Sequence, residues 1–142
     1  MTPTLPAPLA PVSWGELLDK ITILEIKAAR IPAPAARANV AQELALLNEI
    51  AAPVMPQPGL APLIEDLRRV NQALWTIEDD IRACEAAGDF GAGFVALARA
   101  VYRTNDQRAA IKRQVNALLG SALVEEKFHA PSAPGKGAAG GR

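Results

Sequence analysis

Four side chains able to recognise a ligand recur at intervals of four, three and four, namely Asn71, Trp75, Glu78 and Arg82. Residues three or four apart share one face of a helix, so these form a single stripe. A second stretch carries Tyr102, Asn105, Arg108, Lys112 and Asn116, again three or four apart. Glu25 is the third feature. At about 100° per residue it projects between Trp14 and Leu18, near the centre of an apolar arc, and is expected to be buried. A guanidinium, carboxylates and amides inside an apolar bundle support two kinds of chemistry. The planar fork of Arg108 suits a carboxylate, whether that of Glu25, of Glu78 or of a bound ligand. Alternatively the ions close on one another and set helix register or an oligomer interface. The predicted cluster is Glu25, Asn71, Trp75, Glu78, Tyr102, Asn105, Arg108 and Lys112, a candidate site for a small anionic or sugar ligand. Trp75 and Tyr102 would either stack on a sugar ring or fill the core.

Other constellations point to less. Asp19 and Lys20 are expected to be solvated, with Glu16 and Lys20 paired one helical turn apart. Glu78, Asp79 and Asp80 are consecutive, and helical neighbours diverge by about 100°, so one face cannot gather all three around a metal. Glu126-Lys127-Phe128-His129 matches half of a di-iron motif, which needs two copies. The chain has one His and one Cys. That excludes an intrachain disulfide and a zinc site built from Cys and His, and leaves a serine- or cysteine-based triad only a histidine near the tail. No cofactor or metal is expected. Ile23 and Ile26, opposite the main apolar stripe of their helix, suggest further burial inside the domain or in a homodimer.

Composition sets the frame for these residues. The 142 residues carry 15 basic and 15 acidic side chains and are 50% hydrophobic. One domain with a real core is expected. Without a Lys/Arg excess there is no electrostatic basis for a nucleic-acid partner. No apolar run approaches the roughly 20 residues that span a bilayer, so no membrane insertion is expected. Residues 1–12 hold four prolines and no basic residue. They lack the charged start and apolar stretch of a signal peptide and are expected to be disordered, in a cytoplasmic protein. The single helical domain should cover 13–130, followed by a flexible Gly/Ala/Pro tail over 131–142.

Prolines mark the element boundaries, because each removes a helix donor and clashes with the preceding turn. Ser13-Trp14-Gly15-Glu16 reads as a capping box opening a helix over 14–30. A second helix is predicted over about 35–52. The stretch 60–87 places Leu63, Leu67, Val70, Leu74, Ile77, Ile81 and Cys84 at alternating spacings of four and three, a heptad seam. The stretch 93–119 repeats the seam with Phe94, Leu97, Val101, Thr104, Arg108, Ile111, Val115 and Leu118. Gly88, Gly91 and Gly93 fall at the turn between them. Ser121 would cap a short last helix over 122–129. The fold class is therefore all-α, a small helical bundle built on a long antiparallel hairpin (about 60–87 and 93–119) with two N-terminal helices packed across it. Net charges of −3 and +4 on the two hairpin helices favour their adjacency. A turn near Asp89 brings Glu78 level with 100–102, Trp75 with 103–105 and Asn71 with 107–109.

The stretches 15–27, 74–82, 101–108 and 125–127 resemble an uncharacterised bacterial family, domain-of-unknown-function family 6165. The residues shared with its pattern are Glu16, Asp19, Lys20, Lys27, Glu78, Arg82, Tyr102, Arg103, Asn105, Asp106 and Arg108. The resemblance implies a helical fold, an intracellular bacterial setting and an association with glycosyltransferases and surface-polysaccharide assembly. It carries no activity and no catalytic residue.

Three functions fit these observations. The chain is a non-catalytic binding or assembly module, linked to glycosyltransferase or surface-polysaccharide pathways. Or it is a small mutase- or lyase-like helical enzyme, in which Arg108 and Lys112 hold an anionic metabolite and Glu78 acts as base or electrostatic partner. Or it is a structural homodimer with buried ion pairs.

Overall fold

A computed structural model describes residues 4–129. The tail expected to be flexible at 131–142 lies outside the described residues, as do the first three residues of the N-terminal segment. The elements are α1 (Trp14–Arg30), α2 (Pro34–Ala51), a 3-10 turn (Ala52–Val54), α3 (Leu60–Ala87) and α4 (Ala92–Leu119). The described residues contain helices and no strand, so the all-α bundle expected from the heptads is the fold. None of its helices is long and apolar enough to cross a membrane.

Local chemistry explains the boundaries. Ser13 caps α1, its Oγ accepting from the Glu16 N–H at 3.0 Å. The reciprocal half of the expected capping box is absent, because the Glu16 carboxylate turns away to Lys112. Pro34 stands at the start of α2, where its fixed φ suits a helix and its missing N–H costs nothing. Gly88 ends α3 at φ 65°, a left-handed conformation that a side chain disfavours, and the Asp89 N–H then donates to the Cys84 carbonyl.

α3 and α4 form the long antiparallel hairpin, and α1 is the central helix, packed against α2 on one side and the hairpin on the other. Leu17, Leu18 and Ile21 of α1 meet Ala51, Leu60, Ile64, Leu67 and Val115 in one core. Fully burying each such leucine stabilises the fold by roughly 1.5–3 kcal/mol. The core occupies the inner half of the hairpin only. From residue 72 to 110 no side chain is fully buried. Ile26 is buried against the chain's own helices, so its apolar surface is used inside one copy.

Two expectations change. The short helix over 122–129 does not form. Residues 121–129 run as a non-helical strap back across the start of α1. The Ser121 Oγ donates to the Leu123 carbonyl at 2.7 Å and accepts from the Trp14 N–H, Ser13 donates to Glu125, and Lys127 reaches Asp106. A helix this short is marginal by itself, so these long-range contacts prevail. The opposite charges of α3 and α4 also make no ion pair with each other among the described residues. Apolar seam packing, not charge, joins the hairpin.

Candidate functional site

α1 crosses the hairpin obliquely, and three of its residues mark the route. Gly15 touches α4, its N–H donating to the Asn116 Oδ1 at 2.7 Å. A Cβ at position 15 would lie 2.5 Å from the Lys112 carbonyl oxygen, so only glycine permits this approach. One turn later Asp19 reaches both hairpin helices. By Glu25 the helix has passed to the outer side of α3, beside Arg68.

Asp19 is the hub. Its side chain is 1% exposed, and both its oxygens are gripped by Arg108, Nε donating to Oδ1 at 2.8 Å and Nη2 to Oδ2 at 2.5 Å. Asn71 Nδ2 donates to Asp19 Oδ1 and to Thr22 Oγ1, each at 2.9 Å, and Thr22 Oγ1 donates to the Asp19 carbonyl. Lys112 Nζ lies 2.5 Å from Glu16 Oε2 and 4.0 Å from Asp19 Oδ2. Asp19 and Lys20 were expected to be solvated and Glu16 was expected to pair with Lys20. Instead Asp19 is buried and Glu16 holds Lys112, while Lys20 is exposed as expected and pairs with Glu43 of α2 at 3.3 Å. The hydrogen bond that it donates to Asp19 holds the Arg108 guanidinium above its ordinary value, against the opposing effect of burial. A forked pair with an extra amide donor is the arrangement in which a buried carboxylate is tolerated.

The same guanidinium forms part of an open groove of about 590 Å³. Its floor is Asn71, Trp75 and Glu78 of α3 with Asn105 and Arg108 of α4, and Ile23 of α1 stands on its flank. Arg108 Nη1 points toward Asn105 Oδ1 at 3.5 Å, at the limit of a hydrogen bond. Leu74, Asp79 and Arg82 complete the lining, and Arg82 donates to Glu78 on its own helix at 2.8 Å. Trp75 has a second neighbour, the Arg30 guanidinium 5.9 Å from the ring centroid.

Of the predicted cluster, the fold brings Asn71, Trp75, Glu78, Asn105 and Arg108 to this groove. The level set by a turn near Asp89 holds for Asn71 and Arg108, which meet on one carboxylate. Three residues fall elsewhere. Glu25 is 37% exposed and forms a forked pair with Arg68, at 3.1 and 3.3 Å, because the oblique crossing carries the end of the apolar arc out of the core. That contact raises the Arg68 guanidinium above its ordinary value. Tyr102 is 44% exposed beyond the groove, and the neighbouring Arg99 guanidinium, aided by the charge of Arg103, lowers its phenol. Lys112 is engaged by Glu16 at the other end of α1. Arg108 and Lys112, the pair suited to an anionic substrate, both face carboxylates of α1.

Asp19 and Thr22 are the residues that a single apolar arc could not find. The available signal was Leu17, Leu18, Ile21, Ile23, Leu24 and Ile26, which are apolar nearly all round the helix. That pattern marks a helix covered on several sides, where even a charged residue is buried.

A second, smaller cavity of about 160 Å³ lies under the strap, lined by Lys112, Asn116, Glu125 and Lys127 among others. Asn116 is buried, and its Nδ2 has no hydrogen-bond partner among the described residues. Burial works to raise the Glu125 carboxyl, but the Ser13 hydroxyl and the charge of Lys112 outweigh it and hold the group below its usual value.

A family model described as a family of unknown function, DUF6165, matches residues 10–136. No curated protein and no solved structure matches the chain.

Proposed function

We propose that this chain, which belongs to the DUF6165 family of unknown function, is a non-catalytic binding module for a small, uncharged polar ligand of sugar type, held in the groove beside α1. The observation that carries this is charge balance over an aromatic floor. Trp75 lines the groove beside the amides of Asn71 and Asn105, while each guanidinium there already lies on a carboxylate, Arg108 on Asp19 and Arg82 on Glu78. An anion would find neither cation uncompensated and would meet Asp79 as well. A sugar matches what is left. Its C–H face suits an indole, and its hydroxyls donate to carboxylates and accept from amide and guanidinium N–H groups. The groove volume of about 590 Å³ falls inside the range of small-molecule sites, roughly 300–1,000 Å³. A cytoplasmic setting among bacterial enzymes of surface-polysaccharide assembly belongs to the same proposal.

The test is a thermal-shift and fluorescence titration of the full chain with free hexoses, sugar nucleotides, succinate and phosphate. A ligand binding only the folded state at 100 times its Kd stabilises it by about 2.7 kcal/mol. Expected is a rise in Tm with a free hexose, a change in Trp75 emission in the Trp14→Phe variant, and loss of both in Trp75→Ala. A response to sugar nucleotides, succinate or phosphate but to no free hexose, or a sugar response unchanged in Trp75→Ala, would overturn it.

A further inference from the structure

The outer half of the hairpin lacks what the inner half has. Leu74, Ile77, Ile81 and Cys84 of α3 face Phe94, Leu97 and Val101 of α4 along the heptad seam, yet every one of them stays half-buried. Two helices alone leave both sides of their seam open, and beyond the level of Trp75, which the end of α1 reaches through Arg30, no third helix of the described residues covers either side. Apolar surface continues beyond the seam. Tyr102, Ala98 and Val95 precede Asn105 by three, seven and ten positions, so they extend the groove face of α4 toward the tip. Val95 is 51% exposed and Phe90, at the tip, 55%.

The charges of this half are segregated and unneutralised. α3 carries Asp79, Asp80 and Glu85, and α4 carries Arg99 and Arg103, all exposed. None of the five forms an ion pair among the described residues, although their helices are antiparallel neighbours. Arg82 pairs with Glu78 of its own helix and Asp106 with Lys127 of the strap. In this half α3 therefore carries the unpaired acids and α4 the unpaired bases, with half-buried apolar seam between the two helices.

We propose that this outer half docks on the same half of a second copy about a two-fold axis, α3 of each copy lying against α4 of its partner through the face of Trp75, Arg82, Val95 and Tyr102. A two-fold contact is self-complementary, so acidic α3 meets basic α4 twice, and the two half-covered seams become the core of a four-helix bundle. A second copy carries the matching apolar and charged pattern by construction. Trp75 and Tyr102, at the inner end of the face, are of the type that dominates interface energetics. Trp75 and Arg82 also line the groove, so a partner copy and a sugar compete for that end of it; the dimer does not rest on the ligand reading, and its mass is measured with no sugar present.

The experiment measures the mass of the full chain by sedimentation equilibrium across the micromolar range. A dimer that weakens as salt is raised is expected, since its edges are held by exposed charges. Arg99→Glu with Arg103→Glu, and Asp79→Lys with Glu85→Lys, should each give a folded monomer by circular dichroism, and an equimolar mixture of the two should regain the dimer mass. A wild-type chain that stays monomeric, a dimer indifferent to salt, or charge-reversed chains that dimerise alone or fail to associate when mixed would each overturn the proposal. The salt titration of the wild-type chain decides the matter without any variant.

Discussion

The Arg108 guanidinium holds both carboxylate oxygens of Asp19, a residue 89 positions earlier in the chain, and that carboxylate is almost wholly withdrawn from solvent. The pair pins α1 to the hairpin at the level where Asn71 supplies a further donor. It also fixes the guanidinium at the groove wall, so the structural contact and the candidate site share one side chain.

Removing Arg108 leaves the Asp19 charge buried, and Arg108→Met is expected to lower stability by about 3–5 kcal/mol. Asp19→Leu leaves a guanidinium that the groove still wets, and should cost less. The double variant should recover much of that loss, because a buried pair is replaceable by apolar side chains of similar volume. Urea denaturation of the wild type, both singles and the double measures the coupling, which should exceed the roughly 0.5 kcal/mol expected of independent sites.

Gly15→Ala places a methyl group 2.5 Å from the Lys112 carbonyl oxygen and 2.9 Å from Asn116 Oδ1. A backbone carbonyl cannot rotate aside as a side chain does, so α1 must shift away from α4. A loss of about 1–3 kcal/mol is expected, the range for overpacked cores. It reads as a lower urea midpoint, although alanine is the better helix former.

The two halves of the hairpin should respond differently to truncation. Leu67 is fully buried in the inner core, and Leu67→Ala is expected to cost about 2–5 kcal/mol. Leu97, half-buried in the outer seam, should cost clearly less in dilute solution. At concentrations where the proposed dimer forms, the cost of Leu97→Ala should rise while that of Leu67→Ala does not.

The strap should release in acid. The Glu125 carboxyl sits below its ordinary value in the folded chain, so its contribution is complete above the ordinary carboxyl range and is lost as pH falls through the lowered value. Glu125 is solvent-exposed, which keeps the effect modest. Backbone motion over 122–127, read by 15N relaxation, should quicken in acid before that of α1 does. Glu125→Gln should speed it at neutral pH, and Ser13→Ala should do so while also costing about 0.5–2 kcal/mol through the lost helix cap.

Sequence by itself determined the helices and the hairpin. Prolines, caps and heptads act within a few residues of one another, so their spacing along the chain already contains the geometry they produce. The level of Asn71 opposite Arg108 was legible for the same reason, as a turn of known position fixes every pair across an antiparallel hairpin. What only the tertiary structure decided was the carboxylate that Arg108 takes. Glu25 lies at the centre of an apolar arc and yet emerges beside Arg68, while Asp19 lies off that arc and is buried. A helical wheel assumes one covered face along the whole helix, whereas α1 is covered by three neighbours and crosses two of them at an angle. The strap was decided at the same level. Its nine residues formed no helix because Ser13, Trp14 and Asp106, more than twenty to a hundred positions away, supplied the partners its polar groups would otherwise have sought along their own backbone.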